Sequence, residues 1–185
     1  MKEMYETLWS GDYRKRDRNH GLRLAEVRRI LNPSGTVADW GCGHGRLSAS
    51  LHDLGMDVIP IDIAENALDG DVAEKLGDKF ICGSLPEVTL PHPVEYSICT
   101  DVLEHLPEHL VKPSIQNIMS QTTTAAYFYT ACIGDFTIVN GVQYNLHPTH
   151  KDSTWWSRQF DDFGIKDEEH MLRLSYQCRI LPWTS

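Results

Sequence analysis

An α/β fold built on a mostly parallel sheet is predicted for this 185-residue chain by three observations. Residues 36–62, TVADWGCGHGRLSASLHDLGMDVIPID, read as strand, tight turn, helix and strand. An apolar run from Thr36 to Trp40 leads into glycines at 41, 43 and 45. Helical spacing follows at Leu47, Leu51 and Leu54, then a second apolar run ends on Asp62. Apolar runs and helical patterns keep alternating after that, the order that builds parallel strand–helix–strand units. Glycine at every second position of the turn lets the backbone bend sharply and pass close to a ligand.

Length and composition bound the rest. A chain of this size carries one domain with a proper core and is too short for two ordinary ones, so residues 1–185 are expected to form a single domain. No apolar run approaches a membrane span, and the first residues lack a signal peptide's apolar stretch. The five cysteines (42, 82, 99, 132 and 178) include no CxxC pair. Cys82, Cys99 and Cys132 lie at or beside apolar runs read as strands, where buried reduced thiols fit a cytoplasmic location. A net charge of −9 argues against broad nucleic-acid binding. The charge is uneven. Residues 14–29 hold Arg14, Lys15, Arg16, Arg18, Arg23, Arg28 and Arg29 against Asp17 and Glu26, a local balance of +5. A solvated helix face is the ordinary reading of that stretch, and a phosphate-bearing substrate the sharper one.

The remaining elements follow in order. Tyr5, Trp9 and Tyr13 are evenly spaced about a Ser10-Gly11-Asp12 turn. Two readings stay open for residues 1–19: plain packing, or a lid over a pocket. Residues 20–31 form an amphipathic helix with Leu22, Ala25, Val27, Ile30 and Leu31 inward and the arginines mostly outward. Asn32-Pro33-Ser34-Gly35 ends it. After the opening unit come a helix over 64–76, a third strand over 79–82, a fourth over 94–100, a helix over 107–120 and a fifth strand over 124–133. Residues 134–149 read as a long loop, a length that usually marks function. A helix over 153–163, capped by Ser153 and stopped by Gly164, precedes two strands near 165–171 and 173–181.

Ligands of parallel α/β sheets bind beyond the C-terminal ends of the strands. Those ends carry Asp39 with Gly41, then Asp62, the Gly83-Ser84-Leu85 turn, and Thr100-Asp101, so four loops converge on one crevice. The spacing from Gly41 to Asp62 suits a nucleotide-type ligand whose ribose hydroxyls meet the acid. Asp39-x-Gly41-x-Gly43-x-Gly45 is not the GxGxxG turn that sets a pyrophosphate on a helix N-terminus. It resembles motif I of the class I S-adenosylmethionine-dependent methyltransferases. The element order is similar to theirs as well, over nearly the whole chain from residue 20. That order is a Rossmann-like seven-strand sheet with helices on both faces, its last two strands an antiparallel hairpin. The resemblance implies S-adenosyl-L-methionine as cofactor. Asp39, Gly41 and Gly43 would line its methionine part, Asp62 its ribose, Ile63 its adenine face, and Ser84 and Leu85 the adenine edge. Many members carry an acid where this chain has Ser84. Asp101 would complete the cofactor side.

TDVLEHLPEHL, 100–110, resembles the segment after the fourth strand in a large methyltransferase group acting on small molecules. The Asp/Asn-Pro-Pro-aromatic tetrapeptide that clamps a flipped base in exocyclic-amine DNA methyltransferases does not stand here. Leu146-His147-Pro148-Thr149 and Trp155-Trp156 resemble a signature of short phage and bacterial methyltransferase-like proteins. On that resemblance His147 faces the pocket, and His147, His105 and Glu104 are the candidates for handling the acceptor's proton. Adjacent on a helix, Trp155 and Trp156 point about 100° apart, one into the core and the other near the pocket mouth. Asp101, Glu104 and His105, joined by His147 or His150, also form a set able to hold a divalent cation. That pattern is similar to the small-RNA 3′-terminal 2′-O-methyltransferases, although the ordinary reading needs no metal. The leading expectation is methyl transfer to an O or N of a small molecule or nucleotide. The alternatives are a metal-dependent RNA 2′-O-methyltransferase-like enzyme and a non-catalytic S-adenosylmethionine-binding protein.

Overall fold

The computed structural model describes residues 1–11, 20–139 and 141–183, so Tyr13 and the basic run from Arg14 to Arg18 lie outside the described residues. Six helices are described: α1 (Lys2–Trp9), α2 (His20–Ile30), α3 (Arg46–Asp53), α4 (Gly70–Leu76), α5 (Glu108–Ser120) and α6 (Ser153–Gln159). Strands β1 (Thr36–Trp40), β2 (Asp57–Asp62), β3 (Ile81–Cys82), β4 (Val94–Thr100), β5 (Thr122–Ala131), β8 (Ile165–Met171) and β9 (Ser175–Leu181) build one seven-stranded sheet. A separate hairpin is made of β6 (Phe136–Val139) and β7 (Val142–Asn145).

The sheet order is β3-β2-β1-β4-β5-β9-β8. β1 to β5 pair in parallel, and β9 runs antiparallel to both β5 and β8. Side chains of a strand alternate between faces, so a sheet covered on both sides must be apolar on both. On β5, Ala126 and Phe128 join Val111, Ile115 and Ile118 of α5, Trp156 of α6 and Phe160 just after it. Ala125 and Tyr127, one residue out of phase, pack with Val27 and Ile30 of α2 and Leu47 and Leu51 of α3. Trp40 is fully buried, and its indole N–H donates to Ser97 Oγ at 3.0 Å. Ser97 continues the chain of hydrogen bonds to Thr122 on β5.

Several expectations are corrected. The span 134–149 is not a plain loop, because β6 and β7 pair within it around Gly141, whose φ of 77° suits a tight hairpin turn. The helix expected from residue 64 begins only at Gly70. Asp62 Oδ1 accepts the Ala64 N–H, and this turn delivers Ala64 and Ala67 into a small cluster with Tyr5 and Leu8 of α1. α6 ends at Gln159, and its cap is Asp152, whose Oδ1 accepts the Trp155 N–H. On α2 the inward and outward residues are partly exchanged. Leu22 is 57 % exposed whereas Arg23 is buried. Cys82 is exposed, while the other four cysteines are buried and all five are free thiols. Among the described residues no helix is long and apolar enough to cross a membrane.

Candidate active site

A cavity of about 460 Å³ opens at the C-terminal ends of the parallel strands. Its floor is the turn between β1 and α3. Gly41, Gly43 and Gly45 all have positive φ, between 54° and 78°. At Gly41 a Cβ would stand 2.4 Å from Val102, so the turn closes only with glycine there. Asp62 at the tip of β2 fixes the turn from the side. Its Oδ2 accepts the Gly43 N–H at 3.0 Å and its Oδ1 the Ala64 N–H at 3.0 Å. Each oxygen keeps a further lone pair for a ligand hydroxyl.

Asp39 lies at the base, its Oδ2 accepting the Ser48 hydroxyl at 2.5 Å. Burial pushes its carboxyl up to about 6; the Ser48 hydrogen bond opposes that, and the charge of Asp62 adds to it. Asp62 is raised as well by burial, against the N–H groups of Ala64 and Gly43. Two buried carboxylates so close make a site that gains from a cationic ligand. Ile63, Ser84 and Leu85 line the same cavity. Asp101 also lines it, with a left-handed φ of 56° rare outside glycine. Its two carboxylate oxygens are taken by Arg23, at 2.8 and 3.3 Å.

Arg23 is the residue that sequence reasoning missed. It lines the cavity, pairs with Glu26 at 2.7 Å, and holds its guanidinium 3.3 Å above the Tyr129 ring centroid. Burial works against its charge, but the hydrogen bond and charge of Asp101 outweigh that and raise its pKa. A signal did exist: positions 23, 27 and 30 share one helix face, and an arginine on an apolar stripe needs a buried partner.

The cavity's other wall carries His105 and His147, whose rings meet edge to face with centroids 4.7 Å apart. His147 Nδ1 lies 2.5 Å from the Ile133 carbonyl oxygen. A carbonyl only accepts, so Nδ1 is the donor and Nε2 is the nitrogen left for other contacts. His105 Nδ1 is hydrogen-bonded to the Tyr5 hydroxyl at 2.8 Å. Burial, helped by His147, pushes His105 down to about 3, so its ring is uncharged at neutral pH. Glu104 sits behind both. It is fully buried, and Oε1 accepts the Ala131 N–H at 2.8 Å while Oε2 has no hydrogen-bond partner among the described residues. Burial and then the charge of Asp101 push Glu104 up to about 8. One oxygen of Glu104 and one ring nitrogen of each histidine all lie within 4.8 Å of one another.

Helix α1 lends Tyr5 and Trp9 to the cavity lining. Trp9 rests on the glycine turn, and a Cβ at Gly43 would stand 3.0 Å from its ring. His44 meets the Trp9 ring edge on, with centroids 6.0 Å apart. The Asn66 amide ties α1 to the turn after β2 through the Glu6 carbonyl and the Ser10 hydroxyl. His150 and Trp155 are not part of the cavity wall. The His150 ring instead pairs with the Cys132 carbonyl at 3.2 Å. Trp156 fills the core, whereas Trp155 lines a separate shallow groove with His109 and Lys112 rather than the pocket mouth.

Comparison with known proteins agrees with this architecture. Residues 38–119 match the family described as "Methyltransferase domain". The ubiquinone biosynthesis O-methyltransferase of Hydrogenovibrio crunogenus is 31% identical over 119 residues, which cover 58% of this chain and 48% of that protein. The chain thus spans about half the length of that curated relative. Among solved structures, a Burkholderia thailandensis 1,6-didemethyltoxoflavin-N1-methyltransferase with bound 1,6-didemethyltoxoflavin and S-adenosylhomocysteine superposes with a TM-score of 0.69 at 12% identity, covering 92% of this chain and 80% of that one. The N-methyltransferase NodS from Bradyrhizobium japonicum, with S-adenosylhomocysteine, gives 0.67 at 11% identity, covering 98% and 97%. At these identities the likeness is one of fold.

Proposed function

We propose that this chain, a class I methyltransferase in fold and matched by the methyltransferase domain family over residues 38–119, moves the methyl group of S-adenosylmethionine to a small-molecule acceptor. The observation that carries this reading is Asp62. Its two oxygens brace the glycine turn and the turn after β2, and the residue lines the cavity. A vicinal diol such as a ribose is the ligand that two such oxygens suit. Asp39 beneath it favours the cofactor's ammonium and sulfonium charges, and Gly41 and Gly43 let the methionine part approach the backbone. Ile63, Ser84 and Leu85 take the adenine, with Ser84 serving as an uncharged contact. Asp101, held by Arg23, contributes by shaping the wall rather than through a free carboxylate.

A sulfonium carries its own electrophile, so the protein's work is to align and desolvate the acceptor and to activate its nucleophile. His105 and His147, with Glu104 behind them, are the groups for that last task. Helix α1 is the cover under which the two ligands meet, with Tyr5 over the histidines and Trp9 over the cofactor loop. A similar protein named for ubiquinone biosynthesis and a similar structure holding 1,6-didemethyltoxoflavin support a small-molecule acceptor here.

Calorimetry with S-adenosylhomocysteine tests the reading. The wild-type chain should bind one molecule, and Asp62→Ala should weaken binding by about thirtyfold or more, the loss of charge-assisted hydrogen bonds worth about 1.5–3 kcal/mol each. Equal affinity in the variant, or no binding by the wild type, would end it.

A further inference from the structure

We propose that Glu104, His105 and His147 bind a divalent first-row transition-metal ion that takes a hydroxyl of the acceptor as a further ligand. This rests on the methyl-transfer reading, because metal and cofactor would share one cavity, and it narrows the acceptor to an oxygen nucleophile. Three observations converge on it.

The first is the grouping itself, with three potential ligand atoms mutually within 4.8 Å. Ligands of a tetrahedral ion with bonds of about 2.0–2.2 Å stand roughly 3.3–3.5 Å apart, so closure by about an ångström completes the site. Side-chain rotation supplies a movement of that size. The second is Glu104 Oε2, an oxygen fully out of water without a hydrogen-bond partner among the described residues. Such an atom is heavily penalised unless something electropositive meets it. The third is His147. Its Nδ1–H donates to the Ile133 carbonyl, the outer contact that fixes the tautomer of a metal-bound imidazole and presents Nε2 to the ion.

The neighbours define who takes part. Asp101 is engaged by Arg23 through both oxygens, and His150 is neither in the cavity wall nor within reach of the three grouped ligand atoms, so neither joins the set. Two imidazoles and one carboxylate suit zinc, manganese, iron or cobalt, whereas magnesium and calcium take oxygen ligands. Three protein ligands leave a position open on the cavity side, since both histidines line the cavity. An acceptor hydroxyl bound there loses its proton to solvent water near neutral pH. The freed oxygen pair forms the O–CH₃ bond as the C–S bond breaks. That bond's electrons return to sulfur, leaving S-adenosylhomocysteine and a methyl ether.

The test uses the full chain freed of metal by EDTA and dialysis. Zinc is titrated by calorimetry, and cobalt by its visible absorption. One ion per chain is expected, with a cobalt spectrum of nitrogen and oxygen ligation. Glu104→Gln and His147→Ala should each weaken zinc binding by more than about tenfold, since lesser outer-shell changes already cost that much. S-adenosylhomocysteine binding should be unchanged in both, which also shows that they fold. Should either fail to fold, His105→Gln takes its place with the same expectation. Absence of binding to the wild type, or equal zinc affinity in the variants, overturns the proposal and leaves cofactor binding standing. Zinc binding without S-adenosylhomocysteine binding would instead keep the metal site and remove methyl transfer.

Discussion

Asp39 is a carboxyl buried beside a second carboxylate, and its cost in the free protein is the source of its use. Its folded pKa of about 6 lies above the ordinary 3.8. Folding therefore favours its protonated form: the stability this gives is fully present below pH 3.8 and is lost as pH rises through 6. The shift corresponds to about 3 kcal/mol at most. Asp39→Asn should thus unfold at higher urea than wild type at pH 8, with an advantage that shrinks toward pH 4. The same variant should bind S-adenosylmethionine more weakly at pH 8, because the charge that burdens the empty site attracts the ligand's cations. Urea midpoints across that pH range check the first part, and a difference between variant and wild type that does not change with pH would refute it. The other residue that sets the cavity's electrostatics is Arg23, and its burial was not evident from charge alone. Its partners explain it, chiefly Asp101, 78 positions away, with Glu26 and the Tyr129 ring. Asp39, Asp62 and the glycines were legible because backbone geometry demands them within one short local unit. Arg23 depends on contacts that a linear pattern does not display.

Helix α1 has eight residues, well below the length at which an isolated helix holds in water. Its order therefore comes from what it touches: Leu8 in the cluster with Ala64, Ala67 and Leu146, Tyr5 on His105, and Trp9 on the glycine turn. Such an element is the natural one to open and close. Removal of residues 1–11 should raise the dissociation rate of S-adenosylhomocysteine by more than about tenfold, because a cover acts mainly on exit. Stopped-flow displacement measures it, and an unchanged rate would leave α1 as packing alone. The same scale explains where element boundaries were missed. Residues 64–69 carry a helical apolar spacing, yet the Asp62 carboxylate takes the Ala64 N–H and turns the chain before a helix can form. The β6–β7 hairpin was disguised because its strands are only four residues long and its apolar residues Phe136 and Ile138, at 58 % and 70 % exposure, do not face a core. The Asn-Gly pair at 140–141 was the available signal.

At the scale of the molecule, the sheet order was legible because alternating apolar runs and helices admit few right-handed arrangements. The reversed last pair then follows from two strands joined by a short turn. What that order creates is a cavity walled by the ends of separate strands. β1 and β2 supply the acids, β4 the Asp101 turn, and the segments beyond β4, β5 and β7 the histidine wall. A ligand spanning these loops ties the molecule together. Its effect should be global rather than local. At a hundredfold excess over its dissociation constant, S-adenosylhomocysteine should add about 2.7 kcal/mol of stability. For a chain of this size that raises the melting temperature by about 5–10 °C. Calorimetric melting should show one transition that moves as a whole, since both faces of the sheet share its strands. Asp62→Ala at the same ligand concentration should lose most of the shift, and a two-step melt in which only one part moves would mean that the ligand ties together fewer loops than the cavity suggests.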